Sequence, residues 1–444
     1  MTSRRPNVVV FFTDQQRWDT IGAHGNPLDL TPNFDRLAET GTFVANSFTC
    51  QPVCGPARSV FQTGKYPTVT GCYRNDIPLP KDEPTLAHHF GDAGYDTAYI
   101  GKWHLGSTEP VTQEERGGYR YWLASNILEF TSGPFDTVVH DNDGRPVKLP
   151  GYRVDALTDA AIRYIASKGE EPFFLFLSFL EPHHQNQTDN YPAPLGYEER
   201  IRRKLAIPGD LAALGGTTAA HFPGYLGMVA RLDEAFGRLV EALFSLNLLD
   251  DTIILFTSDH GCHFKTRNNE YKRSCHEASI RVPTLFHGPG FDDVGAFDGF
   301  VSLVDLAPTL LNAAGLSVPE AMQGRSILPA LRGDELPSDE IFVQISEHHV
   351  GRALRTRRWK YEIEAPGKDG WHDADSDIYA EARLYDLEED PNELKNLIAS
   401  PEHASTRAWL RDRIVFYMRQ AGEAKPTILP VEHKNWHVEL VSEG

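Results

Sequence analysis

Cys54-Gly55-Pro56-Ala57-Arg58 sets a thiol and a guanidinium four residues apart, the spacing that brings both to one face of a helix. Pro56 suits a first helical turn, because its ring fixes φ near the helical value and the N–H it lacks has no partner there. A helix beginning near Cys54 turns both side chains, and the free N–H groups of its first turn, toward an incoming anion. The chemistry such a pair serves is nucleophilic attack on an anionic ester.

Two acidic pairs, Asp14-Gln15 and Asp259-His260, each follow an apolar run, residues 7–12 and 252–257, that reads as a buried strand. Ligands of open α/β sheets gather beyond the carboxyl ends of strands. If the two strands are parallel neighbours, both pairs emerge at one edge and share a cation through carboxylate oxygens, an amide oxygen and an imidazole nitrogen. Such a donor set favours Ca2+, with Mg2+ or Mn2+ as alternatives and the imidazole tilting toward Mn2+. Lys102 and His104 follow a third short strand, and Glu181-Pro182-His183-His184 follows the Phe-rich run 173–179. Lys102 is a fixed point charge, whereas the histidines can hold or move a proton.

The Cys-x-Pro-x-Arg pattern with Thr63-Gly64-Lys65-Tyr66-Pro67 resembles the signature of type I sulfatases in the alkaline phosphatase superfamily. Gly101-Lys102-Trp103-His104-Leu105-Gly106, Ser258-Asp259-His260-Gly261 and residues 384–393 extend the resemblance from residue 7 to about residue 396. It implies that a formylglycine-generating enzyme oxidises Cys54 and that the hydrated aldehyde attacks sulfur. On that basis Asp14, Gln15, residue 54, Asp259 and His260 surround one divalent cation. Arg58 and the metal steady the nucleophile, Lys102 and Lys272 meet the sulfonyl oxygens, His183 protonates the leaving oxygen, and His104 takes the proton that expels sulfate. Lys265 is the rival of Lys272. Many relatives carry Asp-Asp and Asp-Asn where this chain has Asp14-Gln15 and Asp259-His260, a variant resembling phosphonate monoester hydrolases.

A small-molecule or oligosaccharide sulfate ester is the implied substrate, with sulfated carbohydrate preferred and His184, Arg267, Arg273, His348 and Arg352 as candidates to grip it. A phosphonate or phosphate ester hydrolase of the same superfamily is the alternative. A silent carbohydrate-binding relative would require that Cys54 is never oxidised.

The elements that must position these residues alternate. Apolar strands at 7–12, 97–100, 173–179 and 252–257 are interleaved with helical patterns at 31–40 and 225–246, which argues for a large, mostly parallel sheet sandwiched by helices. The resemblance makes that fold alkaline-phosphatase-like. Shorter strands at 341–346, 352–354, 359–363 and 383–387, an exposed loop at 368–377 and a helix at 404–419 form a smaller α+β unit with a short antiparallel sheet. The expected domains are 1–335 and 336–444.

The formal charge of −19 over 444 residues opposes nucleic acid and anionic membrane as partners, so an anionic substrate needs a local cationic site. Five cysteines without a Cys-x-x-Cys pair point to free thiols rather than a disulfide framework or structural zinc. With no signal-length apolar stretch after Met1, the expectation is a cytoplasmic protein, or an exported one if a leader was cleaved. Oligomeric state does not follow from these residues.

Overall fold

The structure, a computed structural model, describes residues 5–169 and 171–431. Its larger sheet is built from β1 (Asn7–Thr13), β2 (Thr42–Phe48), β3 (Asp96–Lys102), β4 (Tyr121–Ser125), β5 (Thr137–His140), β6 (Pro146–Leu149), β7 (Phe173–Ser178), β8 (Thr252–Ser258), β9 (Thr284–His287) and β10 (Gly295–Ser302). The order across it is β10-β2-β9-β8-β1-β7-β3-β4-β5-β6. The centre, β8-β1-β7-β3-β4, is parallel throughout, whereas β9, β5 and β6 pair antiparallel.

Every residue of β1 is buried, the pattern of a strand covered on both faces. Val8, Val10 and Phe12 face the helices Cys54–Thr63 and Leu303–Ala313, packing among Ala57, Val60, Phe61, Leu306 and Leu310. Val9 and Phe11 face the opposite layer, where the helices Arg153–Ala166 and Thr218–Ser245 bring Leu157, Ala161, Leu232 and Phe236. Burial on both sides sets the strand's register, since a slip of one residue would exchange its two faces.

The expected strands and helices form with shifted ends. The long helix starts at Thr218 rather than 225, running through Pro223 in its second turn. The smaller sheet comprises β11 (Glu340–Ile345), β12 (Gly351–Thr356), β13 (Trp359–Glu364), β14 (Ile378–Asp386) and β15 (Thr427–Leu429); its first four strands are antiparallel and β15 joins β14 in parallel. Its Phe342 and Leu354, with Leu410 and Ile414 of the helix Ala404–Gln420, belong to the same apolar cluster as Ala57 and Val60. All five cysteines are buried and none is disulfide-bonded. Among the described residues no helix is long and apolar enough to cross a membrane.

Candidate active site

β1 and β8 are hydrogen-bonded neighbours with Thr13 opposite Ser258, so Asp14 and Asp259 leave the sheet side by side. Gln15, at φ 67°, turns the chain and donates its backbone N–H to Asp259 Oδ1 at 3.0 Å. The helix Cys54–Thr63 begins against this edge and stops at Gly64, whose left-handed φ of 65° closes the helix end. Its first turn differs from expectation. Gly55 N–H donates to Asn75 Oδ1 at 2.9 Å and Ala57 N–H to Val53 O at 2.9 Å, so these groups already have partners inside the protein.

Cys54 Sγ lies 3.2 Å from His260 Nε2, 3.6 Å from Asp14 Oδ1 and 2.8 Å from Lys272 Nζ. The His260 Nδ1 faces Gly261 O at 2.9 Å; because a carbonyl only accepts, Nδ1 carries a proton, and Nε2 is the nitrogen turned toward the thiol and carboxylates. One turn along the helix, Arg58 Nη2 reaches Asp14 Oδ2 at 2.9 Å and Asp259 Oδ2 at 3.4 Å, while Nη1 donates to Lys102 O and Ser178 Oγ at 2.8 and 2.7 Å. This last contact depends on Gly101, at φ 109°, where a Cβ would stand 1.8 Å from Ser178 O. Lys102 Nζ bridges Asp14 Oδ2 and Glu129 Oε1, both at 2.9 Å.

Charge in this dry cluster is unevenly shared. Burial raises the Asp14 pKa, but Lys102, His183, Arg58 and Lys272 more than reverse it and leave it well below the usual value. Asp259 is pushed up to about 6 by burial and by the Asp14 charge. Cys54 comes down to about 6: burial and Asp14 oppose ionisation, and Lys272, Lys102 and His260 outweigh them. Asp14, Cys54, Asp259 and His260 offer donor atoms all within 4.8 Å of one another. Gln15, next to Asp14 in the chain, has its buried Oε1 without a hydrogen-bond partner. Two adjacent buried carboxylates, an imidazole nitrogen and an orphaned amide oxygen fit a divalent cation and a mainly oxygen donor set.

The Sulfatase family model matches residues 6–316, most of the chain. The chain belongs to the sulfatase family. A second model, N-sulphoglucosamine sulphohydrolase, C-terminal, matches residues 269–420. This sulfatase is 29% identical to an ulvan-active sulfatase of Formosa agariphila, over 94% of this chain and 82% of that one. It is 26% identical to the N-acetylglucosamine-6-O-sulfatase of Bacteroides thetaiotaomicron, over 96% and 88% of the two chains. A solved structure in complex with its substrate D-glucosamine-2-N,6-O-disulfate superposes with a TM-score of 0.78 at 23% identity, covering 95% of this chain and 99% of that one. The phosphonate monoester hydrolase of Agrobacterium radiobacter gives 0.70 at 23%, covering 94% and 96%, and shares the alkaline-phosphatase-like fold. This protein is a sulfuric ester hydrolase.

Of the expected leaving-group residues, His183 Nδ1 meets His184 O at 2.7 Å and therefore carries its proton there, leaving Nε2 as the exchangeable nitrogen. Burial and Lys272 hold His183 well below its ordinary pKa. The His184 ring stacks on His183 at 4.2 Å and meets Tyr271 in a tilted contact at 4.4 Å. His104, at φ 59°, is half-buried with its inward Nδ1 unpartnered and is brought down to about 4 by desolvation and Lys102. Lys272 stands at the thiol, whereas Lys265 Nζ pairs with Asp189 at 3.0 Å.

The proposed substrate grips divide differently. Arg352 is corrected to a structural link: its Nε bonds Glu423, Nη1 bonds Gly351 O and Nη2 bonds Ala374 O, which leaves the buried guanidinium no free edge. Arg267 is likewise committed, to Glu393 O at 2.8 Å and Asn392 O at 2.6 Å, and fastens the C-terminal segment. His348 Nδ1 lies 2.9 Å from His349 Nδ1 in the turn after β11. Arg273, next to Lys272, pairs with Glu347 at 2.5 Å and Glu270 at 3.0 Å. Sequence reasoning missed Glu129, Ser178, Tyr191, Asn75 and Glu347. Only Ser178 carried a usable signal, as the polar end of an apolar strand.

Proposed function

We propose that this sulfatase releases inorganic sulfate from a sulfated carbohydrate, with Cys54 converted to formylglycine and one divalent cation, Ca2+ first, held by Asp14, Gln15, residue 54, Asp259 and His260. The observation that carries this reading is Cys54 Sγ set 2.8 Å from Lys272 Nζ and 3.2 Å from His260 Nε2 at the junction of both acidic pairs. When present, the cation supplies Lewis-acid stabilisation and the hydrated aldehyde supplies an oxygen nucleophile in place of the thiol.

The chain's own residues do the rest. Arg58 and Lys102 lock the Asp14 carboxylate from two sides, which fixes where its oxygens point. Lys272 and Lys102 are preorganised positive charge for the sulfonyl oxygens, worth more here than in water because the site is dry. His104, lowered to about 4 by burial and Lys102, is neutral at pH 7 and so has a ring nitrogen free to take a proton. His183 starts neutral, and the charge of an arriving ester anion offsets the Lys272 ammonium that helps hold its pKa down, favouring the Nε2–H that the leaving oxygen needs. Relatives acting on ulvan and on N-acetylglucosamine sulfate support a sugar as the leaving alcohol.

Gln15 and His260 favour a second reading, a phosphonate or phosphate ester hydrolase. The chain is also 27% identical to the multifunctional alkaline phosphatase superfamily protein PehA of Trinickia caryophylli, over 90% of this chain and 93% of that one. Peptide mass at residue 54, followed by initial rates on matched sulfate, phosphate and phosphonate esters of one sugar, separates the two. The expected result is an aldehyde at residue 54 and sulfate release that Cys54→Ala abolishes with the fold intact. Faster phosphonate turnover overturns the first reading, and sulfate release by Cys54→Ala removes the nucleophile assignment.

A further inference from the structure

Gln15 is fully buried, and three of its four polar groups are fixed. Its N–H donates to Asp259 Oδ1 at 3.0 Å, its carbonyl accepts from Tyr225 Oη at 2.8 Å, and its side-chain Nε2 donates to Tyr191 Oη at 3.1 Å and to Cys262 Sγ at 3.6 Å. Only Oε1 lacks a hydrogen bond. A carboxylate presents an oxygen whichever way it turns, but an amide does not. A half-turn about its last bond would replace the acceptor aimed at a cation by two N–H donors. An amide ligand therefore needs something that tells its two ends apart.

We propose that the Tyr191 phenol, together with the Cys262 thiol, holds the Gln15 amide in the orientation that turns Oε1 toward the cation, which makes Tyr191 a positioning residue for metal binding. The phenol can do this when its own proton is turned to Cys262 Sγ, 3.7 Å from Tyr191 Oη, which leaves the oxygen lone pairs to Nε2. The ring cannot swing away. It is packed among Tyr225, Phe264 and Tyr271 with centroids 5.6, 5.7 and 5.8 Å distant, and the loop that carries it is pinned by Gln185 N–H donating to Asn190 O at 2.8 Å. Tyr191 reaches the cation only through Gln15.

This rests on the divalent-cation reading of the site. The test is calorimetric titration of the full chain, with residue 54 in one verified chemical state, using CaCl2 and separately MnCl2. Loss of an outer-shell partner weakens metal binding about 10- to 100-fold. Tyr191→Phe is expected to raise Kd by about tenfold, at the lower end of that range, with the melting temperature of the metal-free protein unchanged. In a Gln15→Glu background, where no end needs choosing, adding Tyr191→Phe leaves Kd unchanged. An undiminished affinity in Tyr191→Phe, or an equal loss in both backgrounds, overturns the inference while the cation site stands. A wild-type chain that binds neither ion overturns the site and the inference together.

Discussion

Replacing Lys102 by methionine removes the ammonium that holds two buried carboxylates, and its cost can be worked out from the contacts. Nζ is 2.9 Å from both Asp14 Oδ2 and Glu129 Oε1, and the side chains of Lys102 and Glu129 are 0% and 3% exposed. Burial would drive Lys102 toward its neutral form, yet Asp14 and Glu129 keep it charged above its ordinary range. Burial likewise raises Glu129, and Lys102, with lesser help from His104 and a backbone hydrogen bond, more than reverses this, so Glu129 titrates below its usual value. Asp14 retains Arg58 at 2.9 Å in the variant, but the only ammonium on Glu129 is gone. Stranding one member of a buried pair costs about 3–5 kcal/mol.

Adding Glu129→Gln removes the stranded charge, so the double variant should recover at least about 2 kcal/mol of that loss, read as coupling in a double-mutant cycle. Activity should not return with stability, because the fixed charge at the sulfonyl oxygens is still missing; a drop of about 10²- to 10³-fold in kcat is expected for both variants. Urea titrations at pH 7 in chelator measure the first quantity and initial rates of sulfate release the second. The sign with pH is fixed as well. Because folding depresses the Glu129 pKa, its pairing with Lys102 stabilises above the unfolded value of about 4.3 and fades as pH falls through the lower folded value, so the Lys102→Met deficit narrows in acid. A double variant no more stable than Lys102→Met would refute the reasoning.

Acid should destabilise the fold through a neutral, half-buried histidine outside the Cys54 cluster. His24 is lowered to about 3 by burial and Arg281, so its contribution is complete above the unfolded pKa of about 6.5 and is lost as pH falls toward 3. At pH 5 this amounts to about 2 kcal/mol, and His24→Gln should flatten the pH dependence of the urea midpoint by that amount; an unchanged slope contradicts it. Arg352→Met should cost about 3–5 kcal/mol by stranding Glu423 while leaving KM for the sulfate ester unchanged, and a raised KM at intact stability would restore Arg352 to the substrate.

β1, β7 and β8 were legible because strands covered on both faces show as unbroken apolar runs, and the polar residues that end them are then placed without further information. The start of the long helix was not. Pro223 disfavours helix in the residue before it, and only tertiary packing of Phe222 and Leu226 carries the helix back to Thr218. β5 and β6, at one end of the sheet, span four residues each and are incompletely buried, too short and too mixed to show a period. Within the site, the residues proposed to meet the ester carried a motif, but their supports did not. Lys102 finds Glu129 27 positions away and Arg352 finds Glu423 71 positions away, so charge alone could not separate a substrate grip from a buried pair.

The smaller sheet is part of the machinery that aims residue 54. Gly55 N–H is held by Asn75 Oδ1 at 2.9 Å, and Asn75 N–H by Glu347 Oε1 at 2.7 Å. Glu347, in the turn after β11, pairs with Arg273 at 2.5 Å, and the adjacent Lys272 reaches back to Cys54 at 2.8 Å. These contacts close a ring through the first turn of the helix Cys54–Thr63, the loop carrying Asn75, the β11–β12 turn and the lysine loop. The positions of Cys54 and Lys272 are therefore tied through one circuit, and shifting Glu347 should move both. The span of the C-terminal family match accords with this: it begins at residue 269, just ahead of Lys272, and takes in Glu347, so the lysine and the turn that braces it fall within one matched unit.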